Sequence, residues 1–330
     1  MKGREIGRTE RTLLAAKRKF GVEIVYNPVP EFFEQYGEGM FKENATPSIE
    51  EAQITINAIA RTPGARALAQ VIFFQRQETF YPLHRQVADG AYLGYERLSS
   101  FPRDEEKPAD KAAIMIQVPS LEVGMLFKLS PEIALPNIES PIPLKTQEDY
   151  LDLVVTHMFG MAFLDQVRLA GSPNFEEYKR RRDDSAEYTR HSFDDNRVLA
   201  SFAQLTGWKR MEYIDYWGKL ADSGDEGVEE LRQHLLKTNH KDNHRKMWVR
   251  DEAIWDSLTK PKAKIGINTS SPVASIDSVF AEYWAASLIA PEILSETERK
   301  YFEDLHDGLQ IQPDNYIKAV ARYSVPIYKQ

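Results

Sequence analysis

The segment from Glu148 to Leu169 constrains the fold of this 330-residue chain more than any other. Its apolar residues recur at spacings of three and four, which places them on one face of an α-helix. A Gly-Ser-Pro sequence that starts at Gly171 then ends the pattern. We therefore predict a long central helix. Its core-facing stripe consists of Leu151, Val154, Val155, Met158, Phe159, Ala162 and Phe163.

The part of the chain before this helix combines helical and strand patterns. The polar stretch 8–19 is compatible with a helix, and helical spacing of apolar residues predicts a second helix at 49–61. Short runs rich in β-branched and aromatic residues, or with alternating apolar residues, predict four strands, at 21–26, 71–74, 91–95 and 112–118. We expect an N-terminal helical arm over 1–20, followed by a lobe of helices and a small mixed, twisted sheet over 21–146.

The part of the chain after residue 146 is predicted to be a mostly helical lobe, over 147–330. Two helices are expected at 275–290 and 295–305, and Ser295 with Glu298 has the spacing of a capping box. The segment at about 221–264 is strongly polar and is interpreted as an insertion. The whole chain is predicted to be an α+β protein whose sheet packs on the central helix.

Composition excludes several functional classes. The formal net charge is -8, which disfavours broad nucleic-acid binding through many phosphate contacts. The chain has no cysteine, so disulfides, thiolate metal sites and thiol nucleophiles are excluded. The first twenty residues lack the apolar core of a signal peptide, and no apolar run is long enough to cross a bilayer. We expect a soluble protein that is intracellular or belongs to a delivered assembly such as a virus particle.

The central helix carries one histidine in a suggestive context. Zinc peptidases often place His-Glu-x-x-His on one helix, because residues four apart share a face and the Glu activates zinc-bound water. Residues 155–165 resemble the zincin pattern V-x-H-E-x-G-H-A-x-x-D. The retained positions are His157, Gly160, Ala162 and Asp165. Met158 stands at the position of the Glu, and Met161 at that of the second His.

A second segment extends the resemblance. Residues 277–284 are similar to the E-x-F-A-E-A-F helix of zincins related to the catalytic domain of anthrax lethal factor. In that family the first Glu of this helix is the third zinc ligand, and Ser278 occupies its position here. Glu282 matches the second Glu. In both segments the residues at packing positions match the family pattern, whereas the metal ligands and the general base are mostly replaced.

The resemblance implies a zincin-like fold with an inactive, vestigial site formed by His157, Met158, Met161, Ser278 and Glu282. It implies a structural or protein-binding component, without a cofactor, metal or small-molecule ligand, that acts with a protein partner or within a larger assembly such as a virus particle or a secretion apparatus. An active zinc metallopeptidase with a divergent site around His157 is the alternative.

Other candidate sites in the sequence have simpler interpretations. A shift of the alignment by one residue makes Asp277 a weak alternative metal ligand. His240 and His244 have the spacing of a metal-binding pair, but their polar surroundings favour a solvated helix or loop. The basic run 179–182 is flanked by acidic residues and is interpreted as a salt-bridged surface. An aromatic group between Phe202 and Trp217 is interpreted as core packing rather than a binding surface.

Overall fold

The computed structural model describes part of the chain. The described residues are 2–25, 47–76, 95–97, 112–118, 147–183, 192–216, 244–250 and 275–323, together with four positions between 230 and 237. The predicted strand residues 91–94, the aromatic Trp217 and the metal candidate His240 lie outside these ranges.

In its described residues, the first lobe contains three helices and one four-stranded sheet. Its elements are α1 (Lys2–Phe20), β1 (Glu23–Val25), α2 (Ile49–Arg61), α3 (Ala65–Leu68), β2 (Val71–Arg76), β3 (Tyr95–Arg97) and β4 (Ala112–Val118). The strand order is β1-β2-β4-β3. The pairs β1–β2 and β2–β4 are parallel, whereas β3 pairs antiparallel with β4. The predicted small mixed sheet is therefore present.

Local sequence signals explain where α2 begins and ends. The hydroxyl of Ser48 accepts a hydrogen bond from the backbone of Glu51 at 3.1 Å, and the Glu51 carboxylate accepts one from the backbone of Ser48 at 2.7 Å. This capping box satisfies two N–H groups that a helix start leaves without intrahelical partners. After the helix, Gly64 takes a φ of 65°, which glycine adopts without steric cost.

The described residues of the second part of the chain are mostly helical. Its elements are α4 (Gln147–Gly171), α5 (Phe175–Asp183), α6 (Arg197–Thr206), β5 (Trp208–Glu212), β6 (Lys246–Arg250), α7 (Ile276–Ile289), a 3-10 turn (Pro291–Ile293), α8 (Glu296–Ile311) and α9 (Pro313–Arg322). Helix α4 covers the predicted central helix. Within α8, the capping box of Ser295 and Glu298 is present.

Helices α4 and α7 form the centre of the hydrophobic core. Both are buried around most of their circumference, and α7 has eleven consecutive buried residues from Ile276 to Ala286. The Phe163 ring stacks on Trp284 with centroids 5.2 Å apart, and Phe202 meets Phe280 edge to face at 5.3 Å. Burial of one aromatic side chain stabilises a fold by about 1.5 to 3 kcal/mol. The buried aromatic rings around α4 and α7 are therefore a main source of stability.

Strands β5 and β6 were not predicted from the sequence. They form a two-stranded antiparallel sheet, and β6 lies inside the segment interpreted as a polar insertion. Its central residues Met247, Trp248 and Val249 are nevertheless buried. A run of three apolar residues within a polar stretch is too short to distinguish a strand from a loop by its sequence pattern.

The N-terminal helix packs against the first lobe. Leu13 belongs to the main core, and Ala16 is also buried. The predicted arm over 1–20 therefore forms a helix that contributes a side chain to that core. Among the described residues, no helix is both long enough and apolar enough to cross a membrane.

Candidate functional site

The predicted site lies where α4 and α7 cross. A Cβ atom added to Gly160 would stand 2.9 Å from the Cα of Ala281 and 3.0 Å from the Cβ of Trp284. Real Cβ atoms do not approach backbone atoms so closely, so the two helices are in contact at a position that only glycine permits. The structure therefore brings together the two segments that carry the zincin resemblance.

His157 lies one helical turn before this contact and is only 4% exposed. Burial lowers the pKa of His157 to about 4, and the nearby backbone of Ser278 opposes this shift only in part. Neither ring nitrogen reaches hydrogen-bond geometry with a residue that the structure describes. The imidazole is therefore neutral at physiological pH, and it lies close to α7.

The other four predicted site residues are buried as well. Met158 is 5% exposed, Met161 6%, Ser278 6% and Glu282 1%. The backbone N–H of Ser278 donates to the hydroxyl of Ser275, which caps the start of α7. Glu282 lies one turn further along the same helix as Ser278, because residues four apart share a helix face. These positions form parts of a packed helix interface.

The side chains at this interface do not fit a hydrolytic zinc ion. Such an ion needs three nitrogen or oxygen ligands, an open coordination position and a general base. Of the three ligands that the resemblance requires, only His157 is present, since Met161 offers a soft thioether and Ser278 a hydroxyl. Across the described residues, no group of three or more His, Cys, Asp or Glu side chains is arranged to hold a metal.

Asp277, the weak alternative ligand, lies in an ion pair instead. Its Oδ1 accepts a hydrogen bond from the guanidinium of Arg168, and both side chains are buried. Burial raises the pKa of Asp277, while the charge of Arg168 opposes that shift. The structure thus places Asp277 in a buried cluster around Arg168.

Arg168 joins three segments of the chain, and the sequence motifs did not reveal it. From α4, its Nε donates to Asp194 at 2.5 Å, and its second terminal nitrogen donates to Asp277 on α7. Asp165, one turn earlier on α4, accepts hydrogen bonds from the Tyr178 hydroxyl at 2.9 and 3.2 Å. The only sequence signal was a pair of charged residues, Asp165 and Arg168, on a helix that is otherwise apolar at this end.

Residues 192–196 support this cluster through their own hydrogen bonds. The Asn196 side chain donates to the Asp194 carboxylate at 2.6 Å. The indole of Trp248, on β6, donates to the backbone carbonyl of Asp194 at 2.6 Å. From β5, Arg210 donates to the same carbonyl at 3.1 Å. The second sheet is therefore attached to the core at the Arg168 cluster.

The remaining candidates are surface or core features. His244 is exposed and pairs with Glu212 at 3.1 Å. In the basic run, Arg180 and Arg181 both contact Glu177 and lower its pKa to about 2, as expected for a salt-bridged surface. Most of the described aromatic group is buried, which confirms core packing for Phe202, Trp208 and Tyr216.

Comparison of the chain with protein-family models, with curated proteins and with solved structures gives no match.

Proposed function

We propose that this chain is a zincin-like protein that does not hydrolyse peptides and that serves as a structural or protein-binding component of a larger assembly. The observation that carries the proposal is the crossing of α4 and α7. It brings His157 beside Ser278, while thioethers and a hydroxyl occupy the positions where the family has its base and its other ligands.

Zinc-dependent hydrolysis requires a polarised water molecule and a base that accepts its proton. Met158 has no proton-accepting group, and its side chain is buried in the core. Met161 is likewise part of the core. The replacements therefore add apolar packing at a helix crossing where an enzyme would need ionised ligands, which favours a scaffold role.

The edge of the sheet suggests how such a scaffold could bind a protein. In the described sheet β3 is the last strand in the order, next to β4 alone. An exposed strand edge binds extended peptides through main-chain hydrogen bonds. We infer that peptide segments add to β3 in this protein without being cleaved.

Restoring the lost residues tests the inactive-zincin half of the proposal. The combined change Met158→Glu, Met161→His and Ser278→Glu is expected to create zinc binding, measured by isothermal titration, because it returns two ligands and a base beside the retained ligand His157. A further His157→Ala change should abolish that binding. The matched control carries Met161→Gln instead of Met161→His, and should bind zinc at least about tenfold more weakly.

Two results would contradict this half. One is a restored variant that folds, by circular dichroism, and gains no affinity for zinc. The other is cleavage of a peptide library by the wild-type chain that a chelator abolishes, which would establish the alternative, an active metallopeptidase around His157.

Methylation of peptide backbone amides tests the proposal that peptides bind by adding a strand to β3. Peptides selected for binding to the full-length chain should lose affinity at least about tenfold when alternate backbone amides are methylated, because strand addition depends on main-chain hydrogen bonds. Equal affinity of methylated and unmodified peptides would exclude strand addition.

A further inference from the structure

The Arg168 cluster contains more negative than positive groups. Asp165 is 3% exposed, Asp194 2% and Asp277 0%, and the Arg168 guanidinium that they surround is equally buried. Arg210 is the second cation at this junction among the described residues, and it donates to main-chain carbonyls. With every group ionised, three carboxylates would face two guanidinium groups in the interior. An uncompensated buried charge costs several kcal/mol, and buried acids usually become protonated instead.

We propose that this cluster is a clasp which holds one proton among its three carboxyls and fastens the first turn of α7 to α4 and to residues 192–196. This inference is independent of the proposed function, because it rests on the charges of the cluster rather than on the positions that resemble zinc ligands.

The hydrogen bonds indicate which carboxyl carries the proton. Three donor groups contact the Asp194 carboxylate, namely the Arg168 guanidinium and the backbone and side-chain N–H groups of Asn196. Tyr178 donates to Asp165. Asp277 accepts from Arg168 through Oδ1, whereas its buried Oδ2 has no hydrogen-bond partner among the residues described. A proton on Oδ2 makes that oxygen a donor, close to the Ser192 hydroxyl.

The charges acting on Asp277 agree with this assignment. Burial raises the pKa of Asp277, and the negative charge of Asp194 raises it further; Arg168 and the Ser192 hydroxyl act in the opposite direction. Asp277 follows Ile276 at the start of α7 and precedes Ser278, which contacts His157. Loss of the proton therefore introduces repulsion between Asp277 and Asp194 at the turn that holds α7 in place.

The sign of the pH dependence follows from the raised pKa. The unfolded chain releases the proton of Asp277 near its ordinary pKa, about 4, whereas the folded chain retains it to higher pH. The contribution of the clasp is therefore complete below about pH 4 and is lost as the pH rises through the folded pKa.

Urea unfolding of the full-length chain between about pH 4.5 and about pH 8 tests the clasp. The folding constant of Asp277→Asn, divided by that of the wild type, is expected to rise with pH, by about tenfold for each pKa unit of the shift. An amide resembles the protonated acid and does not titrate. The same ratio for Glu177→Gln, a surface ion-pair control, should change by no more than about twofold over this range. The folded pKa of Glu177 is about 2, and its ordinary pKa of 4.5 lies at the lower end of the range.

Asp165→Asn and Asp194→Asn complete the test. A rise with pH in either of these variants would support the clasp and assign the proton to that residue. Ratios that stay constant or fall with pH in all three variants would overturn it. Infrared spectroscopy needs no variant: the folded wild type at about pH 4.5 should show the C=O stretch of a buried protonated carboxyl group, and that band should weaken as the pH rises. Absence of the band would also overturn the proposal.

Discussion

At the scale of single residues, burial sets the charge of His157. The folded chain keeps the imidazole neutral down to about pH 4, while an unfolded chain protonates it near 6.5. Because its folded pKa is lowered, the stability linked to His157 is complete above the unfolded pKa and is lost as the pH falls through the folded one. Over this interval the loss amounts to about 3 kcal/mol.

We expect His157→Leu to reduce the loss in free energy of unfolding that occurs as the pH falls below about 6.5. Leucine does not titrate, and it removes two buried nitrogens without hydrogen-bond partners among the described residues, so the free energy of unfolding at neutral pH should be unchanged or about 1 kcal/mol higher. Some acid sensitivity should remain, because burial also lowers the pKa of His306 to about 4. Urea titrations at several pH values provide the measurement. If His157→Leu loses as much unfolding free energy in acid as the wild type does, this description of His157 is wrong.

Arg168 is expected to be the most sensitive charged residue. Arg168→Met should lower the free energy of unfolding by about 3 to 5 kcal/mol, because it leaves the buried Asp194 carboxylate without its cation and Asp277 without its hydrogen-bond donor. Arg180→Met, which removes an exposed ion pair with Glu177, should change it by less than about 1 kcal/mol. Equal effects in chemical denaturation would show that the buried cluster contributes no more than a surface pair.

At the scale of elements, the approach of α4 to α7 depends on Gly160. Gly160→Ala should destabilise the protein by about 1 to 3 kcal/mol, because its Cβ would push against the backbone of Ala281. This cost exceeds the gain of about 1 kcal/mol from the better helix propensity of alanine. Thermal unfolding measures the difference.

Gly7→Ala supplies the matched control for that substitution. Gly7 lies within α1, and a Cβ added there meets no atom within 4 Å. The same substitution should therefore be neutral or stabilising by up to about 1 kcal/mol. If Gly160→Ala behaves in the same way, the helices are not in contact at this position.

Elements with long, regular patterns could be predicted from the sequence. The strand at 112–118 and the helix at 49–61 have the predicted bounds, because hydrophobic period, caps and breakers agree there. The region from 198 to 217 was interpreted only as aromatic and amphipathic. It divides into α6 and β5, since Gly207 adopts a φ of 81° and ends the helix.

At the scale of the whole molecule, the sequence predicted that the two segments meet. It did not predict the buried polar contacts that join them. The resemblance in two distant segments placed His157 and Ser278 in one site, and the structure brings them together. The Arg168 cluster was missed because its members come from residues 165, 178, 194 and 277, and no local spacing relates them. Such contacts depend on the tertiary fold rather than on periodicity.

Zinc content tests the central claim most directly. The full-length wild type and His157→Ala are exposed to excess zinc, freed of unbound metal and analysed by plasma mass spectrometry. Because only one of the ligands that the resemblance requires is present, we predict far less than about one zinc per chain in both proteins. About one zinc per chain in the wild type, lost in His157→Ala, would contradict the account and indicate a functional metal centre.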